Sequence, residues 1–305
     1  MKLSLYAVYL FIVITINLFQ YQTCFNTFNN QNPSYNQNPS YNQNPFHKKL
    51  CNTTNQNQIY QKLYNATNRT ISSLLAPTCY EIILNESNAQ SQYTSENLIG
   101  RIIPAGTFED TALALEYLYA ILCPIPNLPP ALHTIQTYNL TYVSYDQNYL
   151  RTQIILVLNL TGNIQLTFFA SLAFDQDYKL CGYDGQIRNF GLTFDNNTAG
   201  AHDAAIKMLC PVIQTYCNGT NQQYDSTEEC IDYLTNDVPF GSYDTADQGT
   251  VSCRLIHVKF IPLIPEMHCP HVGKTGGDAC YNKTVDFYYN QPDFLSCAHQ
   301  YNKNN

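Results

Sequence analysis

Positive charge is scarce in this sequence. Of its 305 residues only 15 are lysine or arginine, against 23 acidic residues, and the formal net charge is −8. No long basic run is present, so the chain offers no electrostatic footprint for a phosphate backbone or an anionic lipid surface. We therefore expect no nucleic-acid partner. Because 45% of the residues are hydrophobic, a chain of this length can still bury a sizeable core.

Signatures of common catalytic machinery are also missing. No Gly-x-Ser-x-Gly elbow occurs, and the glycine-rich segment 272–277 fails the phosphate-loop pattern because His268 stands where that pattern needs glycine. We instead expect a turn there, with Gly276 and Gly277 at positive φ. From the residues alone we assign no catalytic residue, no metal ligand and no cofactor.

Long apolar runs are confined to the start of the chain. Lys2 precedes a nearly unbroken apolar run, Leu3–Phe19, which ends in polar residues without a cluster of lysine or arginine. A spanning helix needs about 20 apolar residues, so this run favours a cleaved signal peptide over residues 1–22. An uncleaved signal anchor is the alternative, because no small-residue cleavage site is evident. The tail, residues 301–305, is polar and excludes a glycolipid anchor. We expect a secreted, extracellular protein with no membrane attachment after cleavage.

Cysteine usage agrees with an oxidising compartment, where twelve cysteines are most simply interpreted as disulfides. Cys210 and Cys217 lie about two turns apart on a helix predicted over residues 199–216, too far to bond to each other, so each should bond to a different neighbour. The full pairing stays open. The cysteines are Cys24, Cys51, Cys79, Cys123, Cys181, Cys210, Cys217, Cys230, Cys253, Cys269, Cys280 and Cys297.

Nine Asn-x-Ser/Thr sequons predict N-linked glycans on a surface-exposed set of asparagines. The density of sequons indicates a glycan-coated surface. They are Asn52, Asn65, Asn68, Asn85, Asn139, Asn159, Asn196, Asn218 and Asn282.

A low-complexity arm, residues 23–50, follows the signal peptide. Asn-Gln-Asn-Pro-Ser-Tyr recurs in it from Asn30 to Pro45. Proline at every sixth position favours extended backbone, and asparagine and glutamine supply little burial to offset the entropy of ordering. The arm is either a flexible spacer or a strand that docks on a neighbouring subunit through its tyrosines.

Helical periodicity appears twice before the strands begin. Between residues 56 and 103 the apolar spacing fits two short helices around Pro77. Thr107 can then cap a longer helix, with Asp110 three residues on, until a group of prolines ends it.

The region 133–190 is typical of strands. The runs 150–160 and 164–174 flank Thr161-Gly162-Asn163, a turn of hairpin length, and predict a β-hairpin. A further strand is expected around 178–190.

In the first predicted strand, residues 133–144, we expect Tyr138, Leu140 and Tyr142 to face inward. The reason is that Asn139, as a sequon, should face solvent.

Helices followed by a curved antiparallel sheet resemble the SnoaL-like fold, a cone-shaped α+β domain whose sheet wraps a long helix. The resemblance covers roughly residues 56–195 and is carried by the acidic helix 109–119 and by the hairpin. Residues 210–289 are similar to a Cys-rich extension of uncharacterised secreted eukaryotic proteins, with Cys253-Arg254-Leu255-Ile256-His257 and His268-Cys269-Pro270-His271-Val272-Gly273 as its distinctive strings. We expect a SnoaL-like α+β domain over 51–197 and a helix with a disulfide-rich cap over 198–305.

The resemblance implies a range of activities, since SnoaL-like domains include cyclases, isomerases, small-ligand binders and inactive members. Catalytic members place an acidic residue and a histidine in the cone. Here Asp175, Asp177 and His133 are the nearest candidates, although turn carboxylates in solvent explain the two aspartates equally well. No catalytic residue is carried over.

A metal site is one hypothesis for the C-terminal region, which contains the potential ligands His257, His268, Cys269, His271, Cys280 and His299. Their spacing matches no recognised zinc pattern, and cysteines in an oxidising compartment prefer one another. The competing interpretation is a disulfide-bonded cap in which the histidines bond to backbone carbonyls.

Three hypotheses follow from the sequence. The first is a structural or interaction glycoprotein of the cell surface or matrix, which self-associates into filaments through its arm or binds another extracellular protein. The second is a SnoaL-like small-molecule binder or isomerase, which requires an open apolar cone. The third is a metal-dependent secreted enzyme.

Overall fold

The computed structural model describes residues 54–84, 92–125 and 133–298. The chain divides into two units, residues 1–59 and residues 60–305, and of the first unit only the start of a helix is described. The predicted signal peptide and arm, and with them Cys24 and Cys51, lie outside the described residues. Their roles stay predictions.

The described elements are nine helices and six strands, with two short 3₁₀ turns. The helices are α1 (Thr54–Ser72), α2 (Thr78–Leu84), α3 (Thr111–Tyr119), α4 (Phe190–Phe194), α5 (Ala199–Tyr216), α6 (Thr227–Asn236), α7 (Val251–His257), α8 (Pro265–Val272) and α9 (Val285–Tyr289). The strands are β1 (Thr94–Ile103), β2 (Gly106–Phe108), β3 (Ile135–Asp146), β4 (Arg151–Leu160), β5 (Ile164–Phe174) and β6 (Leu180–Arg188). Among these helices none is long and apolar enough to cross a membrane.

The strands form one mixed sheet in the order β2-β1-β6-β5-β4-β3. The pair β1 and β6 is parallel, and every other neighbouring pair is antiparallel. The α+β class is confirmed, but the prediction of a purely antiparallel sheet was wrong. It failed because β1 was not recognised as a strand: buried residues alternate only in its second half, at Leu98, Gly100 and Ile102, and residues 94–97 before them are polar.

The predicted hairpin is confirmed. Strands β4 and β5 pair antiparallel along their whole length, from Arg151 opposite Ala173 to Leu160 opposite Ile164. Gly162 and Asn163 occupy the turn with φ of 78° and 58°. Both residue types tolerate the left-handed conformation, which is what a tight hairpin turn demands. The predicted strand around 178–190 is also present, as β6.

The predicted inward face of β3 is right for one half of the strand and wrong for the other. The register places Leu140 opposite Leu156 but Tyr142 opposite Ile155, so Thr141 is an extra residue without a partner of its own. A bulge of this kind transfers all later side chains to the opposite face of the sheet. Tyr142 is therefore 51% exposed rather than inward.

Helix α3 begins later than predicted. Asp110, not Thr107, is its N-cap, and its carboxylate accepts a hydrogen bond from the backbone N–H of Leu113 at 2.9 Å. Thr107 lies in β2 instead. Helix α3 packs against the sheet, where the Tyr183 hydroxyl of β6 donates to the carbonyl of Ala114 at 2.8 Å.

Five disulfides join ten cysteines of the described residues. As expected, Cys210 and Cys217 bond to different partners. Cys210 lies within α5 and Cys217 is its C-cap, and the bounds of this helix match the prediction. The bonds are Cys79–Cys123, Cys181–Cys297, Cys210–Cys230, Cys217–Cys269 and Cys253–Cys280.

Glycosylation stays a prediction, although exposure is compatible with it at several sequons. Asn65, Asn139, Asn196, Asn218 and Asn282 are exposed. Asn68 and Asn159 are half-buried, and Asn52 and Asn85 lie outside the described residues.

Candidate functional site

The acidic and histidine residues suggested by the SnoaL resemblance do not converge. His133 precedes β3 in the chain and lies beside the turn that leads into β5, where its Nδ1 is 2.9 Å from the carbonyl oxygen of Thr161. Asp175 lies just beyond the other end of β5, where its carboxylate accepts from the backbone N–H groups of Asp177 and Lys179. Ten strand residues at about 3.3 Å each separate the two ends, so these residues share no site. The aspartates are turn residues.

An apolar cavity of about 200 Å³ lies between the inner face of the sheet and the helices that cover it. Strands β5 and β6 supply one wall, while α5 and the segment through α7 supply the other. The lining residues are Ile102, Ile121, Leu122, His133, Leu166, Phe168, Ile187, Phe190, Phe194, Met208, Leu209, Val212, Tyr243, Leu255, Ile256, Val258 and Lys259.

Lys259 is the charged residue in that lining. Its side chain is 8% exposed, and its ammonium donates to the backbone carbonyls of Ile121 at 2.7 Å and Cys123 at 3.0 Å. Burial lowers the pKa of Lys259 to about 7. The ammonium has three N–H groups and donates two of them to these carbonyls, so the third can donate to a further acceptor.

Three histidines from the C-terminal region meet in the interior. His257 ends α7, while His268 and His271 lie three residues apart on α8 and so share one face of that helix. Their exposed fractions are 2%, 0% and 5%. One ring nitrogen from each can be chosen so that the three atoms lie within 4.8 Å of one another. We call these three residues the histidine cluster.

Each ring of the histidine cluster has a polar partner on another element. Nε2 of His268 is 2.7 Å from Oε2 of Glu116, and Nε2 of His271 is 2.6 Å from Oδ1 of Asp278. Nδ1 of His257 is 2.6 Å from the Tyr117 hydroxyl. These partners are side chains, so the expectation that the histidines bond to backbone carbonyls was wrong.

In the part of the chain that the structure describes, the Nδ1 atoms of His271 and His268 have no carboxylate partner. Nδ1 of His271 lies 3.1 Å from Nδ1 of His257, and Nδ1 of His268 is buried with no hydrogen-bond partner among the described residues. Burial lowers the pKa of all three histidines, that of His268 to about 4. The rings are therefore neutral at physiological pH.

Covalent and polar links hold the histidine-bearing helices in place. Cys269, next to His268, bonds to Cys217, and Cys253, one turn before His257, bonds to Cys280. The buried Arg254 donates through Nη2 to the carbonyl of Gly273 at 2.9 Å, just after α8.

The loop after α8 contributes to the same arrangement. Gly276 and Gly277 adopt φ of 75° and 57°, as predicted. A Cβ at Gly277 would lie 2.9 Å from the His271 ring, so glycine leaves room for this imidazole.

Two other candidate metal ligands, Cys269 and Cys280, are in disulfides and offer no free thiolate. His299 lies outside the described residues. The sequence signal that was missed is the i, i+3 pair His268 and His271 on one helix, because Pro270 between them made a helix look unfavourable.

These features define a disulfide-bonded α+β protein with a mixed six-stranded sheet, an apolar cavity and a buried histidine cluster. Residues 179–283 match the model of the BfoA family C-terminal domain, a span that includes the three histidines and Asp278. Among curated proteins, the chain is 28% identical over 222 residues to the Aurasperone B biosynthesis cluster protein A of Aspergillus niger, covering 65% of this chain and 72% of the relative. It is also 28% identical over 217 residues to the Bifonsecin B biosynthesis cluster protein A of Aspergillus brasiliensis, covering 63% and 73%.

Proposed function

We propose that this protein binds a compact apolar molecule that carries a carboxylate, in the cavity that contains Lys259. The observation that carries the proposal is a largely apolar cavity with one ammonium in its wall. Burying a hydrocarbon surface against apolar walls is favourable, and the ammonium orients the ligand and selects one that carries a negative charge. A small-molecule ligand is in keeping with relatives that are named for the biosynthesis of aurasperone B and bifonsecin B.

The size of the cavity sets the size of the ligand. A cavity of roughly 150 Å³ lined by aliphatic and aromatic side chains is large enough for benzene. The present volume of about 200 Å³ accommodates a substituted ring. A probe of this size is 4-isopropylbenzoate, and isopropylbenzene is its matched neutral control.

We expect 4-isopropylbenzoate to bind at least about tenfold more tightly than isopropylbenzene, because only the carboxylate can pair with Lys259. Lys259→Met should remove this preference, which ligand-observed NMR titrations of both probes would measure. Lys283→Met is the matched control, since Lys283 also donates to backbone carbonyls, those of Asp247 and Ala279, but lies outside the cavity lining.

Val212→Phe tests the location, because the larger side chain would fill the cavity. Binding of either probe that survives this substitution, or an undiminished preference in Lys259→Met, would refute the proposal.

A second proposal concerns the setting and the partners. Five disulfides favour an oxidising compartment, and we infer that the protein is extracellular, glycosylated and able to self-associate through its arm. The outer face of the sheet carries a shallow groove of about 420 Å³ whose lining includes Ile103, Tyr142, Ile155 and Phe169. Tyrosines of an arm from another copy are suitable occupants for such a surface.

Deleting residues 29–45 should leave a folded monomer and abolish higher oligomers in sedimentation velocity. Replacing Tyr35 and Tyr41 with serine keeps the arm length constant and should have the same effect. Unchanged sedimentation of both variants would exclude assembly through the arm.

A further inference from the structure

We propose that the histidine cluster binds one divalent transition-metal ion of the zinc type, with His257, His268 and His271 as ligands. This site is independent of the cavity ligand proposed above.

The first step of the argument is the protonation of the rings. A carboxylate accepts but does not donate, so Glu116 and Asp278 each fix a proton on the Nε2 atom that faces them. A neutral imidazole carries one N–H, which leaves Nδ1 of His268 and of His271 with a free lone pair. Neutral imidazole with an available lone pair is the form that binds a metal ion.

The second step is the surroundings of those lone pairs. Metal-binding histidines characteristically donate their other N–H to a carboxylate, which orients the ring and raises its basicity. Two of the three rings here have that partner. The third, His257, presents Nδ1 to the Tyr117 hydroxyl and to Nδ1 of His271.

The third step is distance. Two nitrogens bound to one tetrahedral zinc ion at about 2.0–2.1 Å are separated by roughly 3.3 Å. The Nδ1 atoms of His257 and His271 are already 3.1 Å apart, and one ring nitrogen from each of the three histidines lies within 4.8 Å of the others. Small rotations of the rings would complete the geometry.

The fourth step is the buried, unpartnered Nδ1 of His268. Leaving a buried polar atom without a hydrogen bond costs free energy, and a bound ion is one of the ways in which a folded protein satisfies such an atom. Its ring is fully buried, and its other nitrogen is fixed by Glu116. A metal ion between the three rings would satisfy this atom and would replace the 3.1 Å contact between Nδ1 of His257 and Nδ1 of His271.

The chemistry of the donors selects the class of ion. Imidazole nitrogens favour zinc, copper, nickel and iron, whereas calcium and magnesium require oxygen ligands. Cys253 and Cys280 lie beside His257, but they are bonded to each other and therefore provide no thiolate ligand. A bound zinc ion with three histidine ligands keeps a fourth position for water, whose pKa it would lower towards neutrality.

The surrounding structure makes the site rigid and reachable. Two disulfides fix the helices that carry the histidines. The side chain of Asp278, which contacts His271, is 87% exposed and therefore marks a short route from solvent. Preorganised ligands and an entry path are both required of a functional metal site.

The test is a zinc titration of the full-length secreted protein after it has been stripped with a chelator. We expect one equivalent of Zn²⁺ to bind in competition with a chromophoric chelator, and Co²⁺ to give the visible absorption of a tetrahedral site. His268→Gln should weaken binding by at least about 100-fold, because glutamine still donates to Glu116 but has no counterpart of Nδ1.

His202→Gln is the matched control. His202 is half-buried and stacks on Phe240 with ring centroids 3.6 Å apart, outside the histidine cluster, and its substitution should leave the affinity unchanged. His271→Gln serves as a second ligand variant should His268→Gln fail to fold, since its partner Asp278 can return to solvent. No stoichiometric binding, or equal affinity in ligand and control variants, would overturn the proposal.

Discussion

Replacing Cys217 and Cys269 together with alanine is expected to lower the free energy of unfolding by about 4 kcal/mol. The bond closes a loop of 52 residues, and the chain-entropy relation assigns a loop of that length about this much stabilisation. Alanine avoids placing a hydroxyl in a fully buried site. Urea unfolding of the two proteins measures the difference.

The control is the double alanine variant at Cys210 and Cys230, which opens a loop of 20 residues and should cost about 3 kcal/mol. Both variants lose stability, but only the loss of Cys217–Cys269 should also weaken zinc binding, because Cys269 directly follows His268. Equal zinc affinity in the two variants would show that this bond does not position the cluster.

Alkaline pH is expected to destabilise the protein strongly through its buried tyrosines. Burial raises the pKa of Tyr119 and of Tyr243 to about 12, whereas the unfolded side chain ionises near 10. A raised folded-state pKa gives stability that is complete below pH 10 and is lost as pH rises towards 12. Each residue should therefore cost roughly 1 kcal/mol by about pH 11.

Three further buried tyrosines, Tyr117, Tyr183 and Tyr224, have pKa values raised in the same direction by burial. The summed loss, roughly 5–7 kcal/mol at about pH 11, is comparable with the whole stability of a typical domain. We expect cooperative alkaline unfolding, with the phenolate absorbance appearing in the same transition.

Tyr119→Phe isolates one contribution. It removes a hydroxyl that contacts Oγ of Ser73 at 3.1 Å, and Ser73 keeps its bond to the carbonyl of Thr70. The variant should lose about 1 kcal/mol less than the parent between pH 8 and pH 11. Tyr289→Phe, at an 82% exposed position, should follow the parent. The same slope in all three proteins would contradict the assignment to buried tyrosines.

Local patterns predicted the elements whose signals are local. The β4–β5 hairpin follows from two apolar runs around Gly162 and Asn163, and α5 follows from its periodicity. The parallel pairing of β1 with β6 could not be predicted in this way. The other described strands lie between β1 and β6 in the sequence, so no short turn connects the two. The bulge at Thr141 could not be predicted for a related reason. The alternation of Tyr138, Leu140 and Tyr142 is unbroken in the sequence, but the added residue places Tyr142 on the opposite face of the sheet from Leu140.

The histidine cluster was visible in part. His257, His268 and His271 were recognised as nearby ligands in the sequence, but their partners were not. Glu116 lies 152 positions from His268, and Tyr117 lies 140 positions from His257. No spacing rule spans such separations, since the contact exists only after α3 has packed beside α7 and α8.

What the sequence determined by itself is composition and local order: an acidic, cysteine-rich chain, the hairpin, the long helix α5 and the expectation of paired cysteines. Each depends on residues that are close neighbours in the chain. Only the tertiary structure decided which cysteines pair, that the sheet is mixed, that Lys259 faces an apolar cavity and that three imidazoles meet two carboxylates. These features depend on distances between remote segments, and such distances are set by how the whole core packs.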